Sequence, residues 1–168
     1  YQPLLRKLEE DSFFDLHILV FGTHLSKKYG LTVQAIEKDG FKIGCRLKTT
    51  PKDDSPSAIT KAISKTITLF TSLWENESFD LIIALGDRYE MFAAVTSTVP
   101  FNIPVAHIHG GETTLGAIDN SFRHSITVMS KLHFTACGDY QKRVIDIIGT
   151  NENVFNVGAL SIDNLKQM

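Results

Sequence analysis

Cysteine is nearly absent from these 168 residues: Cys45 and Cys137 stand far apart and form no Cys-x-x-Cys pair. A disulfide-stapled secreted domain is therefore not expected, whereas a reduced, cytoplasmic setting is. An excess of one charge is lacking too. The formal net charge is -2, without the basic surplus that a nucleic-acid partner calls for. No apolar run reaches the roughly 18 to 20 residues of a membrane span. The longest, over 93–105, is interrupted by Thr96, Ser97, Thr98, Pro100 and Pro104. The first ten residues carry Leu4, Leu5 and Leu8 at helical spacing instead of a basic segment followed by an apolar one, so no secretory leader is read there. Internal repeats, low-complexity stretches and linkers are also missing, which leaves one domain over 1–168.

What is present is regular alternation. Hydrophobic residues make up 43% of the chain, enough at this length for a real core. Residues 14–21 end in an apolar run closed by Gly22-Thr23. Residues 25–29 suggest a short helix ending at Gly30, 32–36 a further strand, and 41–47 is ambiguous. Ser55-Pro56 is a helix start, followed by Ile59, Ile63, Ile67, Phe70 and Trp74 at spacings of three and four. Beyond it, strand patterns at 80–85, 103–108, 133–137 and 154–157 alternate with helix patterns at 89–98, 120–131, 140–148 and from Ser161 onward. This predicts an α/β fold, a Rossmann-like doubly wound parallel sheet. The chain opens and closes on helical patterns, as expected of a piece lacking a first strand. In the strand order 3-2-1-4-5 that strand is central. Residues 16–21 and 80–85 should then flank a gap or pair with each other abnormally.

Three polar clusters follow apolar segments. Gly86-Asp87-Arg88 sits after 80–85, where Asp87 is either a catalytic or hydroxyl-binding group or a helix N-cap. Arg88 either holds a phosphate or pairs with a neighbouring carboxylate. His107-Ile108-His109-Gly110-Gly111-Glu112 follows 103–106. Alternate residues of a strand point to opposite faces, so at most one imidazole should face a crevice and the other should be a core histidine. Gly110 and Gly111 allow a sharp turn and close approach of a ligand, and Glu112 projects from that turn. Two histidines on opposite faces are a poor start for a zinc site, so no metal centre is expected. Asp119, Arg123 and His124 open the next helix, either as ordinary solvated residues or facing the same space. In open parallel sheets ligands bind outside the carboxyl ends of the strands, which would bring the clusters together. Residues 158–161 read as an ordinary βα turn, and His133 and both cysteines as structural.

In this order and spacing, Gly-Asp-Arg, His-Ile-His-Gly-Gly-Glu and Asp-x-x-x-Arg-His resemble the N-terminal domain of the UDP-N-acetylglucosamine 2-epimerase family, specifically its hydrolysing branch. The non-hydrolysing branch typically carries His-Gly-Asp-Thr and His-Val-Glu-Ala-Gly at these places. The resemblance implies one half of a GT-B-type two-domain enzyme, with the first strand before Tyr1 and a C-terminal domain after Met168. It implies Asp87, Glu112 and Asp119 as catalytic carboxylates, and Arg88, His109, Gly110, Gly111, Arg123 and His124 as substrate contacts. It further implies a UDP-sugar substrate, no cofactor, and a homo-oligomer in the full-length enzyme.

The activity implied is conversion of UDP-N-acetylglucosamine and water to N-acetylmannosamine and UDP, by elimination to a glycal and then hydration. Departure of the diphosphate builds positive charge at the anomeric carbon, which nearby carboxylates stabilise. One acid must take a proton while another gives one, so their environments must differ. Glu112 is assigned to proton transfer in the elimination, and Asp87 and Asp119 to hydration. Rival readings are a hydrolysing UDP-N,N'-diacetylbacillosamine 2-epimerase and a non-catalytic nucleotide-sugar binding half-domain. The chain alone is expected to be inactive.

Overall fold

Among the described residues, six short strands, all paired in parallel, split into two sheets: β1 (Ile18–Phe21) with β2 (Ile43–Leu47), and β3 (Ile82–Leu85), β4 (Val105–Ile108), β5 (Leu132–Thr135) and β6 (Val154–Asn156) in that order. The structure, a computed structural model, describes residues 2–114 and 118–166. Helix α1 (Gln2–Glu10) precedes β1, α2 (Val33–Lys38), α3 (Pro56–Asn76), α4 (Tyr89–Thr98), α5 (Asp119–Met129) and α6 (Gly138–Ile148) run between the strands, and α7 (Leu160–Lys166) follows β6. Residues 167 and 168, the end of the last helical pattern, lie outside the described residues.

Helix α3 starts as its sequence predicts. The Ser55 hydroxyl accepts from the Ala58 N–H at 3.3 Å, and Pro56 takes the first helical position, where its missing N–H costs nothing. The apolar stripe then buries Phe70, Leu73 and Trp74 against Ala94 of α4. Leu19 and Phe21 of β1, Cys45 and Leu47 of β2, and Ile82 of β3 rest on the same cluster. One helix thus holds the two sheets in one molecule. Each large apolar side chain taken fully out of water contributes about 1.5 to 3 kcal/mol. Trp74 also donates from Nε1 to Ser97 Oγ at 2.8 Å, so its polar edge is satisfied inside the core.

Strand β4 is buried at every residue, as befits a central parallel strand with a neighbour on each side. A second cluster forms around it from Ala84, Val95, Val105 and Ile126. Strands β1 and β3 do not pair with each other. Among the described residues each is hydrogen-bonded along one edge only, β1 to β2 and β3 to β4.

Residues 32–36 correct the sequence reading. They form no strand; Val33–Lys38 is a short helix. Val33 is buried and Ile36 half-buried, three apart on one helical face, while Gln34 and Ala35 are exposed. Gly40, at φ +88, closes the turn by donating to the Glu37 carbonyl at 2.9 Å. The ambiguous stretch 41–47 contributes β2, and the short helix expected at 25–29 is present as two 3-10 turns ending at Gly30.

Candidate active site

Loops from the carboxyl ends of β3, β4 and β6 meet α5 around a crevice of about 360 Å3. Strand β3 supplies Leu85, Gly86 and Asp87, the loop after β4 supplies His109 and Glu112, and Leu160 and Ser161 close the far side. Arg123 reaches in from the second turn of α5 and organises the site. Only 6% exposed, its guanidinium is too costly to bury unpaired. One nitrogen, Nη2, bonds the Asp87 carboxylate. The other, Nη1, donates to the Glu112 backbone carbonyl at 2.6 Å and to Asn120 Oδ1 at 3.3 Å. Asn120 in turn clamps Thr114, accepting from its N–H at 2.9 Å and donating to its carbonyl at 2.6 Å. The β3 loop, the β4 loop and the start of α5 are thereby tied to one cation.

Asp87 is not a helix cap. Arg88 occupies the N-cap position of α4 without a side-chain cap, and the Asp87 carboxylate is given to Arg123. Glu112 has a different partner: its Oε1 lies 2.5 Å from His109 Nδ1. Two acids facing one crevice therefore sit beside two chemically different groups, a guanidinium and an imidazole.

The two histidines of the β4 motif divide as strand geometry requires. His107 is fully buried, its Nε2 3.2 Å from the Gly86 carbonyl and its Nδ1 3.2 Å from Thr127 Oγ1. Burial lowers its pKa from 6.5 to about 4, so the ring is neutral. A carbonyl only accepts, so the ring proton belongs on Nε2, where it pins the Gly86–Asp87 turn. His109 is the member facing the crevice. His133 is a buried core residue, its pKa lowered by burial.

Gly110 and Gly111 serve helix packing. A Cβ on Gly111 would stand 2.3 Å from the Tyr140 carbonyl oxygen of α6, and one on Gly110 3.1 Å from His107 Nδ1. The close approach that the glycines permit is that of α6 and of the His107 ring. Arg143 of α6 reinforces it, donating to the Gly111 carbonyl at 2.5 Å.

Of the candidates read from sequence, Asp87, His109, Glu112 and Arg123 line the crevice, and Arg88, Gly110, Gly111, Asp119 and His124 do not. Arg88 pairs with Glu90 at 3.2 Å, the second of its two sequence readings. Asp119 is half-buried in the first turn of α5, four residues before Arg123 and so on the same helical face. His124 is half-buried, its pKa lowered by burial and then by the charges of Arg123 and Arg143. Sequence reasoning took Leu160 and Ser161 for part of an ordinary βα turn, whereas they line the crevice, and it passed over Asn120. The first two follow the carboxyl end of β6, so the same edge rule would have found them. Asn120 carries no such signal. Among the described residues no three His, Cys, Asp or Glu side chains are grouped to hold a metal ion, and no helix is long and apolar enough to cross a membrane. A cleft of about 390 Å3 at the start of α3, lined by Lys52, Asp53, Lys61 and Lys65 among others, contains none of the three clusters.

The chain is 38% identical over 165 residues to the GDP/UDP-N,N'-diacetylbacillosamine 2-epimerase (hydrolyzing) of Campylobacter jejuni, covering 98% of this chain and 43% of that protein. It is 39% identical over 161 residues to the polysialic acid biosynthesis protein P7 of Escherichia coli, covering 96% of this chain and 41% of that protein. It thus spans about two fifths of the length of these curated relatives. Among solved structures, the UDP-GlcNAc 2-epimerase from Neisseria meningitidis bound to UDP-GlcNAc superposes with a TM-score of 0.85 at 20% identity, covering 98% of this chain and 44% of that one. A further UDP-N-acetylglucosamine 2-epimerase gives 0.86 at 18% identity, with the same coverage. The fold is accordingly Rossmann-like α/β, corresponding to the N-terminal half of a GT-B-type enzyme. The family model for UDP-N-acetylglucosamine 2-epimerase matches residues 6–168. With that match running along nearly its whole length, the chain belongs to the UDP-N-acetylglucosamine 2-epimerase family.

Proposed function

We propose that the enzyme containing this chain is a hydrolysing UDP-N-acetylglucosamine 2-epimerase, releasing N-acetylmannosamine and UDP. The observation that carries this reading is the pair of carboxylates, Asp87 and Glu112, facing one crevice with unlike partners. In the elimination Glu112 takes the proton from C2. The C2–H electron pair becomes the C1–C2 double bond, and the C1–O pair leaves with UDP. In the hydration, water adds its hydroxyl to C1 and a proton reaches C2 from the opposite face, inverting that centre; Asp87, which lines the crevice, is assigned to this step. Arg123 sets the distance between the two acid-bearing loops. The pair of unlike environments supplies the difference that acid and base roles require.

A second substrate is favoured by a specific observation. Two relatives, from Campylobacter jejuni and Legionella pneumophila, at 38% and 37% identity, carry names of hydrolysing diacetylbacillosamine 2-epimerases. UDP-N,N'-diacetylbacillosamine is therefore the alternative. The test offers both sugar nucleotides to the full-length protein and follows free UDP and the sugar released. Glu112→Gln, nearly isosteric but unable to exchange a proton, should cut UDP release at least about 100-fold with the fold intact. Near-normal turnover by that variant would remove Glu112 from the chemistry. Ligand-induced spectral shifts without any UDP or glycal would instead favour a binding half-domain.

A further inference from the structure

Asp87 and Glu112 face the same crevice, but their partners differ in kind. Asp87 is bonded to the guanidinium of Arg123. Glu112 Oε1 lies 2.5 Å from Nδ1 of the His109 imidazole. The chain bends out of its way to make this contact. His109 adopts φ +66, a left-handed conformation that costs a residue with a Cβ about 1 to 2 kcal/mol. Its N–H is held by the Phe134 carbonyl at 2.9 Å, and Gly111 at φ +80 completes the turn that returns Glu112 to the ring. Strain maintained at a site lining a crevice points toward function. Neither side chain is sealed off, at 21% and 29% exposure. Among the described residues no protein group bonds His109 Nε2 or Glu112 Oε2, so each presents one free atom.

We propose that His109 is the positioning residue for Glu112, its ring holding the carboxylate in one orientation toward the crevice. This rests on the function proposed above and reassigns His109 from substrate contact to partner of the proton acceptor. With Nδ1–H donated to Oε1, the second oxygen, Oε2, is the atom that takes the C2 proton as UDP departs. The carboxylate becomes a carboxylic acid, and the ring keeps it in one orientation throughout. Charged groups close to the pair include Arg123, which bonds the Glu112 carbonyl, and Arg143 of α6, which bonds the Gly111 carbonyl.

The test uses the full-length enzyme with His109→Ala and His109→Asn. Alanine removes the donor, whereas asparagine tolerates the left-handed backbone and offers an amide donor near the Nδ1 position. We expect kcat to fall about 100-fold in His109→Ala and to be restored to within about fivefold of wild type in His109→Asn, with KM changed less than about threefold in both. In parallel, nuclear magnetic resonance follows the His109 ring nitrogens in the wild type and in Glu112→Gln, where the tautomer should move once the carboxylate no longer accepts from Nδ1. A kcat within about twofold of wild type in His109→Ala, or a loss confined to KM, would overturn the proposal, the latter making His109 a substrate contact. So would ring nitrogen signals identical in the wild type and Glu112→Gln. If His109→Ala does not fold, the Glu112→Gln comparison decides alone. If the wild type releases no UDP from either sugar nucleotide, the proposed function fails while the ring tautomer still judges the pair.

Discussion

At the residue scale, the site depends on side chains held in one charge state by their surroundings. His107 is the clearest case. Burial depresses its pKa from 6.5 to about 4, so between those values the unfolded chain binds a proton that the folded one refuses. Stability from this residue is complete above the unfolded value, and is lost as pH falls from about 6.5 toward 4. The loss is on the order of 3 kcal/mol. His133 and His124 are shifted in the same direction by burial and add to the same acid sensitivity. Replacing His107 with Gln keeps a donor for the Gly86 carbonyl and removes the titration. Urea unfolding at about pH 7 and about pH 4 should then show the difference between wild type and His107→Gln changing by roughly that amount. A difference independent of pH would mean that the ring is not neutral in the fold.

At the scale of elements, the β4 loop is shaped by the helices beside it. Gly111 lies at φ +80 with the Tyr140 carbonyl oxygen 2.3 Å from where a Cβ would sit. Backbone cannot step aside as a flexible side chain does, so Gly111→Ala must shift α6 or break the turn. We expect at least about 2 kcal/mol of destabilisation, read as a lower midpoint in thermal or urea melts, from strain and overpacking together. Gly86, also at positive φ (+93), has open space around its Cβ position, so Gly86→Ala should cost only the backbone term, about 1 to 2 kcal/mol. The two glycines looked equivalent in the sequence. Helix α6, packed on Gly111 and not on Gly86, makes them different.

For the whole molecule, the relevant fact is that β1 and β3 share a helical layer but no hydrogen bonds. Both rest on the α3 cluster, yet each is paired along one edge only among the described residues. Amide exchange should follow it. Val105–Ile108, buried and paired on both sides, should exchange slowest, and the singly paired Ile18–Phe21 and Ile82–Leu85 faster. Extending the chain at its start by roughly 15 residues, enough for a strand and its loop, should raise the melting temperature and slow exchange along both edges. No change in either would show that these edges do not receive a strand.

The residue pattern alone determined the alternation of helix and strand, the placement of Asp87 and Glu112 beyond strand carboxyl ends, and that at most one of His107 and His109 faces the crevice. Those features follow from local period and from the direction in which a parallel strand ends, which sequence carries directly. It did not reveal that 32–36 coil into a helix, because five residues satisfy both periods and only the burial of Val33 chooses between them. Nor did it reveal the partners. That Arg123 takes Asp87 while His109 takes Glu112, that Arg88 turns to Glu90, and that Gly111 answers to Tyr140 are contacts set mostly by packing across the chain. Residues 36 apart in sequence come to share a bond only once β3 lies beside β4 and α5 packs across the loop ends. Charge pairing and close packing are properties of position in space, and the tertiary structure alone decides them.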